Sequence, residues 1–378
     1  MTRSTRFALV LYNYFPHGGG QRDAVRLARE LKRRGNDAAI YAHKLSGERP
    51  DDVEVIQVPV TSRAHFRRNA EYHDLLRARF AEAPETFVLT LVRAPIGHHY
   101  FVTDPCFRDR LADQRPMWLA RLNPRDRFFL RCEQESMEDP ARRFSFLAPG
   151  HLTRYQKHYA LDEQRCTVLP PEVRAECKRG ADAEAVRRET RAALNVRPDE
   201  FVCVAVGSGF HTKGLDRSVR CIAALRQKVR ARLLVAGADS AARYQRLAER
   251  LGVSDHVQFL GGRDDVPQLL LAADVMLHPA RFEAGGKVLI EAMASGLPVV
   301  TTEACGYAAL VAEAQAGCVL REPFEQAQLN AQALRFTQPA TRQTAADAAV
   351  AATSALSDDA MIRALADSLE EHAACLNL

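Results

Sequence analysis

Short, uninterrupted apolar runs alternate along this chain with longer stretches in which apolar positions recur at helical spacing. Phe7–Tyr12 is one such run, suited to a strand covered on both faces in the middle of a parallel sheet. Gln21–Arg34 follows as a helix whose apolar stripe is Val25, Leu27, Ala28 and Leu31. Ala38–Ala42, Val55–Val58 and Phe87–Leu91 predict strands, with a helix over Asn69–Phe80. Phe144–Leu147, His151–Tyr159 and Cys166–Leu169 continue as strand, helix and strand. Pro170-Pro171 breaks the rhythm and opens a charged connection to about Gly180.

The alternation then restarts. Strands are expected at Phe201–Val206, Arg232–Ala236, Val257–Leu260 and Asp274–His278, with helices from Gly214 to about Lys228 and over Ser240–Leu251. A helix over Gly286–Ala294 carries Val288, Leu289, Ala292 and Met293 inward, and Leu297-Pro298-Val299-Val300 returns as a strand. Two β/α series joined by a linker predict an α/β fold of two Rossmann-like, doubly wound domains facing across a cleft. Their expected extents are 1–170 and 171–357. A last helix, Asp358–Leu376 behind Ser357, is expected to pack back on the first domain with the rest of 358–378.

Composition narrows the class. At 378 residues, 47% hydrophobic and 26% charged, the chain reads as a soluble globular protein of two domains. A net charge of +5 suits a locally basic surface for an anionic partner, not a general polyanion binder. Nine scattered cysteines without a C-x-x-C pair point to a reducing compartment. The first apolar run is too short for a signal peptide and no later one could span a bilayer, so a cytoplasmic protein is expected.

The densest chemistry lies in Leu277–Thr302. Gly285 and Gly286 permit close approach of backbone to a ligand, and a helix start aims unpaired N–H groups at it. Glu283 precedes that helix and Glu291 lies inside it, so two carboxylates line one wall. Acceptors beside an anion-friendly helix start suit a diphosphate held between two polyhydroxylated rings, as in a nucleotide sugar. Lys213, followed by Gly214, is a point charge for such a diphosphate. Pro16-His17-Gly18-Gly19-Gly20 is a second phosphate-approach turn, but neither it nor Gly207-Ser208-Gly209 completes G-x-G-x-x-G. A nicotinamide dinucleotide is thereby disfavoured. No D-x-D occurs, and adjacent His98 and His99 point apart, so no metal and no cofactor is expected.

From Pro105 the texture changes. Arg108, Arg110, Arg115, Arg121, Arg125, Arg127 and Arg131 interleave with Met117, Trp118, Phe128 and Phe129. Two arrangements fit: an interface for anionic lipid headgroups or phosphorylated saccharide, or a solvated helix pair whose aromatics pack inward. No nucleic-acid-binding module surrounds the segment.

Glu283, Ala284, Gly285, Gly286, Glu291 and the following Gly-Leu-Pro-Val resemble the donor motif of family-4 retaining glycosyltransferases. LYNYFPHGGGQRD, VIQVPV, RNAEY, YQKHY, VLPP, KGLDRS, GRDDV and EAGGKVLIEAMASGLPVVTTEACGYA, in that order, extend the resemblance over nearly the whole chain. They are similar to those members of the family that add the first outer-core glucose to the inner-core heptose of lipopolysaccharide. The resemblance implies a GT-B fold, UDP-glucose as donor, and a membrane-anchored, phosphorylated glycolipid as acceptor. It favours membrane contact for 105–131, at the inner face of the bacterial inner membrane. Carried over, Gly18 and Gly19 offer N–H groups to the diphosphate and Lys213 balances its charge. Arg263 and Val266 flank the uracil, Glu291 accepts from the ribose, and Glu283 with the amides of Ala284, Gly285 and Gly286 holds the sugar. Asp23 and Asp104 are candidates to orient or deprotonate the acceptor, against plainer roles as a first-turn dipole partner and a helix cap.

Three departures accompany the resemblance. SGFHTKG lacks the arginine the family usually has ahead of the lysine. EVRAECKRG, after Pro171, does not mark the family's diphosphate-binding arginine, and Arg174, Lys178 or Arg179 is left to substitute. TLVRAPIGHHYF departs next to the acceptor side. No residue is marked as a covalent nucleophile, which favours front-face attack over a glycosyl-enzyme route. Another UDP-hexose or acceptor, a UDP-sugar epimerase and a sugar-nucleotide sensor are the alternatives.

Overall fold

The computed structural model describes residues 4–16 and 18–378, so His17 of the Gly-rich turn lies outside the described residues. The chain forms two compact units, one running up to Pro170 and including Ala360–Leu378, the other Pro171–Asp359.

The seven-stranded sheet of the first unit is built from β1 (Arg6–Val10), β2 (Asp37–Ala42), β3 (Glu54–Gln57), β4 (Thr86–Thr90), β5 (His99–Val102), β6 (Arg143–Phe146) and β7 (Cys166–Val168), beside a short pairing of Asn13–Tyr14 with Lys44–Leu45. All pair in parallel, in the order β3-β2-β1-β4-β5-β6-β7. Helices α1 (Gly19–Arg33) and α2 (His65–Ala81) make the first crossovers. Val10, Tyr41 and Val88 pack with Tyr72 and Leu76 of α2, and Tyr100, Phe144 and Phe146 with Tyr155 and Tyr159. Each such fully buried aromatic or aliphatic side chain is worth about 1.5–3 kcal/mol of hydrophobic stabilisation.

The Pro105–Arg131 stretch folds as three helices, not a pair: α3 (Phe107–Gln114), α4 (Met117–Leu122) and α5 (Pro124–Glu138). Pro116 and Pro124 set the breaks, because each forces the residue before it out of helical backbone; Arg115 and Asn123 are both extended. Asn123 then caps α5 by accepting from the Arg125 and Asp126 amides. Helix α6 (Pro149–Gln156) follows β6 and begins at its proline, two residues ahead of His151.

The second unit opens with α7 (Ala183–Ala193), held to its sheet by Arg187 and Arg191, which bond the Asp274 carboxylate at 2.7 and 3.3 Å. Its strands are β8 (Phe201–Val206), β9 (Ala231–Ala236), β10 (Val257–Gly261), β11 (Val275–His278), β12 (Val299–Thr302) and β13 (Gly317–Leu320). They are parallel in the order β10-β9-β8-β11-β12-β13. The crossovers are α8 (Leu215–Leu225), α9 (Ala242–Arg250), α10 (Val266–Ala272), α11 (Lys287–Ala294) and α12 (Ala308–Glu313), followed by α13 (Gln326–Arg335) and α14 (Pro339–Thr353). Helix α11 starts one residue later than expected and turns Ile290 inward, while Val288 is only half-buried.

Helix α15 (Ala360–Cys375) belongs to the first unit. Arg34 donates to Asp367 and Glu370 of α15 at 2.6 and 2.8 Å, and the His372 ring meets the edge of Phe87 at 5.3 Å. It begins two residues after Asp358, and the Ser357 carbonyl accepts from the Val173 amide at 3.0 Å.

Candidate active site

In the second sheet the strand order reverses between β8 and β11, where the loops leaving their carboxyl ends diverge and open a crevice. Those two loops are fastened together. The Thr212 carbonyl accepts from the Arg281 amide at 2.7 Å, and the Arg281 guanidinium forks onto Asp216 with both contacts at 2.8 Å. Gly214, at φ +71°, caps α8 against Pro279, where a Cβ would lie 2.0 Å from the Pro279 carbonyl oxygen. Only glycine fits after Lys213, and that fixes where the lysine emerges.

Lys213 Nζ meets Glu283 Oε2. His278, the last residue of β11, brings Nε2 to 3.3 Å from the same oxygen. A carboxylate only accepts, so Nε2 carries the proton. Burial, and then the Lys213 charge, push His278 down to about 3, so it is the neutral imidazole that donates. Burial also pushes Lys213 down, to about 8. The Glu283 loop is held from the far side: its backbone bridges Cys305, and the Gly285 carbonyl accepts from the Tyr307 amide at 2.9 Å. Gly286, at φ +87°, turns the chain into α11, and Ala284, Gly285 and Gly286 are all buried.

Glu291, inside α11, accepts from Arg174 Nε at 2.9 Å. Of the three basic residues after Pro171 left to serve as the diphosphate-binding arginine, Arg174 therefore stands at the donor-motif helix. Lys178 and Arg179 are turned to the Ser354 carbonyl and to Glu184, at 3.2 and 2.6 Å. Arg263 forks onto Asp265 at 2.7 and 2.5 Å, and Val266 opens α10. Both lie at the carboxyl end of β10, with β9 between them and β8. The loops after β8 and β9 touch through Ser208 Oγ, which accepts from the Ala238 amide at 3.1 Å.

The first sheet reverses between β1 and β4. Gly18 caps α1 in extended backbone, and the helix starts at Gly19, two residues earlier than its apolar stripe suggests. The first-turn amides of Gly19 and Gly20 have no partner within the helix. Asp23 is the fifth residue of α1, beyond the first turn, buried, with Arg26 Nη1 at 3.7 Å. A first-turn dipole role does not apply to it. Nor is Asp104 a cap, since α3 is preceded by Cys106. Its carboxylate is 44% exposed and faces Arg93 Nη1 at 3.2 Å, while its carbonyl accepts from His151 Nε2 and Tyr155 OH at 2.8 and 3.1 Å. His278 was not singled out from sequence, and Arg93 and the Cys305–Tyr307 loop entered only inside longer segments, with no role of their own. The signal available for His278 was a polar residue closing an apolar run at a strand's carboxyl end.

The arginines of 105–131 divide. Arg108 and Arg110 lie over the Tyr159 and Phe107 rings, and Arg115 and Arg125 pair with Asp126. Phe128 and Phe129 are buried. Helix α4 instead exposes Trp118, Leu119 and Leu122, at 65, 41 and 70%; Arg121 of α4 and Arg127 and Arg131 of α5 are exposed as well. Among the described residues no helix is long and apolar enough to cross a membrane.

The family model described as Glycosyl transferases group 1 matches residues 186–349, which hold Lys213, Glu283 and Glu291. Sucrose-phosphate synthase from Thermosynechococcus elongatus shares the fold, with a TM-score of 0.79 at 20% identity over 97% of this chain and 98% of that one. Fold and site together define a GT-B glycosyltransferase. Over 326 residues the chain is 37% identical to the lipopolysaccharide glucosyltransferase WaaG of Escherichia coli, spanning 85% of this chain and 87% of that protein, and it belongs to the group 1 glycosyltransferases. The crystal structure of WaaG, a glycosyltransferase involved in lipopolysaccharide biosynthesis, matches with a TM-score of 0.89 at 35% identity, covering 96% of this chain and 99% of that one.

Proposed function

We propose that this protein transfers glucose from UDP-glucose to an inner-core heptose of lipopolysaccharide with retention of configuration. The observation that carries the reading is the Lys213–Glu283–His278 cluster at the switch point of the second sheet, in a chain 37% identical to a lipopolysaccharide glucosyltransferase. Glu283 neutralises Lys213. An arriving diphosphate draws the ammonium to itself, and the released carboxylate, oriented by the His278 N–H, accepts from glucosyl hydroxyls beside the amides of Ala284, Gly285 and Gly286. Glu291 accepts from the ribose, with Arg174 adding positive charge next to it; Arg263 and Val266 flank the uracil. Gly18 and Gly19 offer the amides at the start of α1 to phosphate. Asp23 and Asp104 orient the acceptor hydroxyl. Its proton passes to the departing diphosphate oxygen as the new glycosidic bond forms on the same face. Lysine, arginine and helix-start charge stabilise the leaving group, so the reaction needs no metal.

The test is transfer of labelled glucose from UDP-glucose to lipopolysaccharide truncated after its heptoses, with and without EDTA, beside an acceptor-free control. Label in the glycolipid, unchanged by EDTA, is the expected result. Label only from another UDP-hexose, or only on another glycan, would replace the donor or acceptor named here. UDP-sugar turnover without acceptor would indicate an epimerase instead.

The acceptor's anchoring gives α4 its role: Trp118, Leu119 and Leu122 enter the interface of the inner membrane's cytoplasmic face while Arg121, Arg127 and Arg131 meet anionic headgroups. At about 1 kcal/mol per arginine near such a surface, changing all three to glutamine should weaken binding to phosphatidylglycerol vesicles by roughly 10²-fold at low salt, less at high salt. Vesicle sedimentation measures this, and unaltered binding would remove α4 from the membrane contact.

A further inference from the structure

We infer that Arg93 and Glu133 are positioning residues for Asp104, a buried guanidinium–carboxylate pair that sets where the exposed carboxylate points. The inference rests on reading Asp104 as a group that faces the acceptor.

Glu133 of α5 is completely buried. Its two oxygens accept from the amides of Phe107 and Arg108 at 2.6 and 2.9 Å, from Tyr159 OH at 2.9 Å, and from Arg93 Nε at 3.0 Å. A buried charge is tolerated only when paired and hydrogen-bonded, and this one is saturated. The two amides are the first of α3, so Glu133 caps that helix from across the sequence, the position Asp104 does not fill.

Arg93 follows β4 and is nearly buried. Its backbone carbonyl accepts from Tyr12 OH at 2.8 Å. In its side chain Nε bonds Glu133, Nη2 bonds the Pro105 carbonyl at 2.5 Å, and the guanidinium lies over the Phe107 ring at 5.5 Å. A guanidinium is a rigid planar fork, so once two nitrogens are anchored the third has no freedom of its own. That third nitrogen, Nη1, is the one 3.2 Å from Asp104 Oδ2. With the Asp104 carbonyl already held by His151 and Tyr155, the side-chain torsions are what remain to be set. Arg93 sets them through Oδ2 and leaves Oδ1 to an acceptor hydroxyl. A pair serving stability alone would end at Glu133. This one continues outward to a half-exposed carboxylate at the carboxyl edge of the sheet, next to the switch point.

The experiment compares Arg93→Met, Arg93→Lys, Asp104→Asn, Arg93→Met/Asp104→Asn and Arg93→Met/Glu133→Gln, reading kcat, acceptor KM and UDP affinity on the full chain. Displacement of an aligned group by about an ångström costs on the order of 10²-fold in rate. Arg93→Met should therefore lower kcat roughly 30- to 100-fold, with acceptor KM and UDP affinity nearly unchanged. Arg93→Lys should recover part of the loss. The Arg93→Met/Asp104→Asn variant should be no slower than Asp104→Asn alone. Effects that multiply in that double variant would overturn the inference, because Arg93 would then act other than through Asp104. Slow Asp104→Asn with unimpaired Arg93→Met would overturn it while leaving the Asp104 reading intact; fully active Asp104→Asn would overturn both. Should Arg93→Met fail to fold, Arg93→Met/Glu133→Gln removes both buried charges together. It is expected to fold and remain slow, and full kcat in it would overturn the inference.

Discussion

Alanine in place of Glu283 should lower glucosyl transfer by about 10²- to 10³-fold, the range for losing one preorganised group at a reacting centre, while UDP binds as tightly as before or more tightly. The split follows from what Glu283 touches. Its carboxylate meets Lys213 and the His278 N–H, and its backbone is held independently by Cys305 and Gly306, so truncation should leave the loop in place. UDP has no hexose for Glu283 to hold and loses nothing directly. Without its carboxylate partner, Lys213 reaches the diphosphate with no ion pair to give up. UDP-glucose does lose a partner for its sugar hydroxyls, and the loss is larger where charge develops in the transition state. Calorimetric titration with UDP beside steady-state kinetics separates the two. Equal losses of UDP affinity and turnover would show that Glu283 serves the nucleotide and not the sugar.

Lys213 should behave in the opposite way. A hydrogen bond to a charged group is worth about 1.5–3 kcal/mol, so Lys213→Ala should weaken UDP binding by roughly 10- to 10²-fold and slow transfer at least as much. Its pH dependence is the sharper signature. Burial pushes the ammonium down to about 8, and the binding form is the protonated one. UDP affinity should be level below pH 8 and weaken above it, by up to tenfold per pH unit, as the unliganded lysine loses its proton. In Lys213→Arg the cation stays charged throughout this range, and the decline above pH 8 should vanish. An identical decline in both proteins would assign it to another group. His278 contributes nothing to this profile, because burial holds it neutral well below the range.

The elements legible in the sequence share one physical origin. A strand buried on both faces is largely apolar, so Phe7–Tyr12 and Phe201–Val206 announced themselves, whereas Leu297–Val300 held only the first half of β12, which runs Val299–Thr302 and ends on two buried threonines. The turn at Gly285-Gly286 was legible because close backbone approach needs glycine, a constraint that acts within a few residues. Helices α7 and α14 gave no such signal. The first is held largely by two arginines on Asp274, and the second is nearly half alanine, too small to mark a stripe. For 105–131, periodicity could not say which aromatics turn inward, since Trp118 and Phe128 are alike as residues and differ only in what packs beneath them.

What the sequence by itself determined was thus the two parallel β/α sheets, the donor motif and the residue types available for chemistry, each set by local sterics or periodic burial. What only the tertiary structure decided was pairing: Lys213 with Glu283, Arg174 with Glu291, and Arg93 with Glu133 and Asp104. These partners lie on loops and helices that meet only when parallel strands from distant parts of the chain align. Their energy depends on separation in space and on exclusion of water, neither of which is written in spacing along the chain.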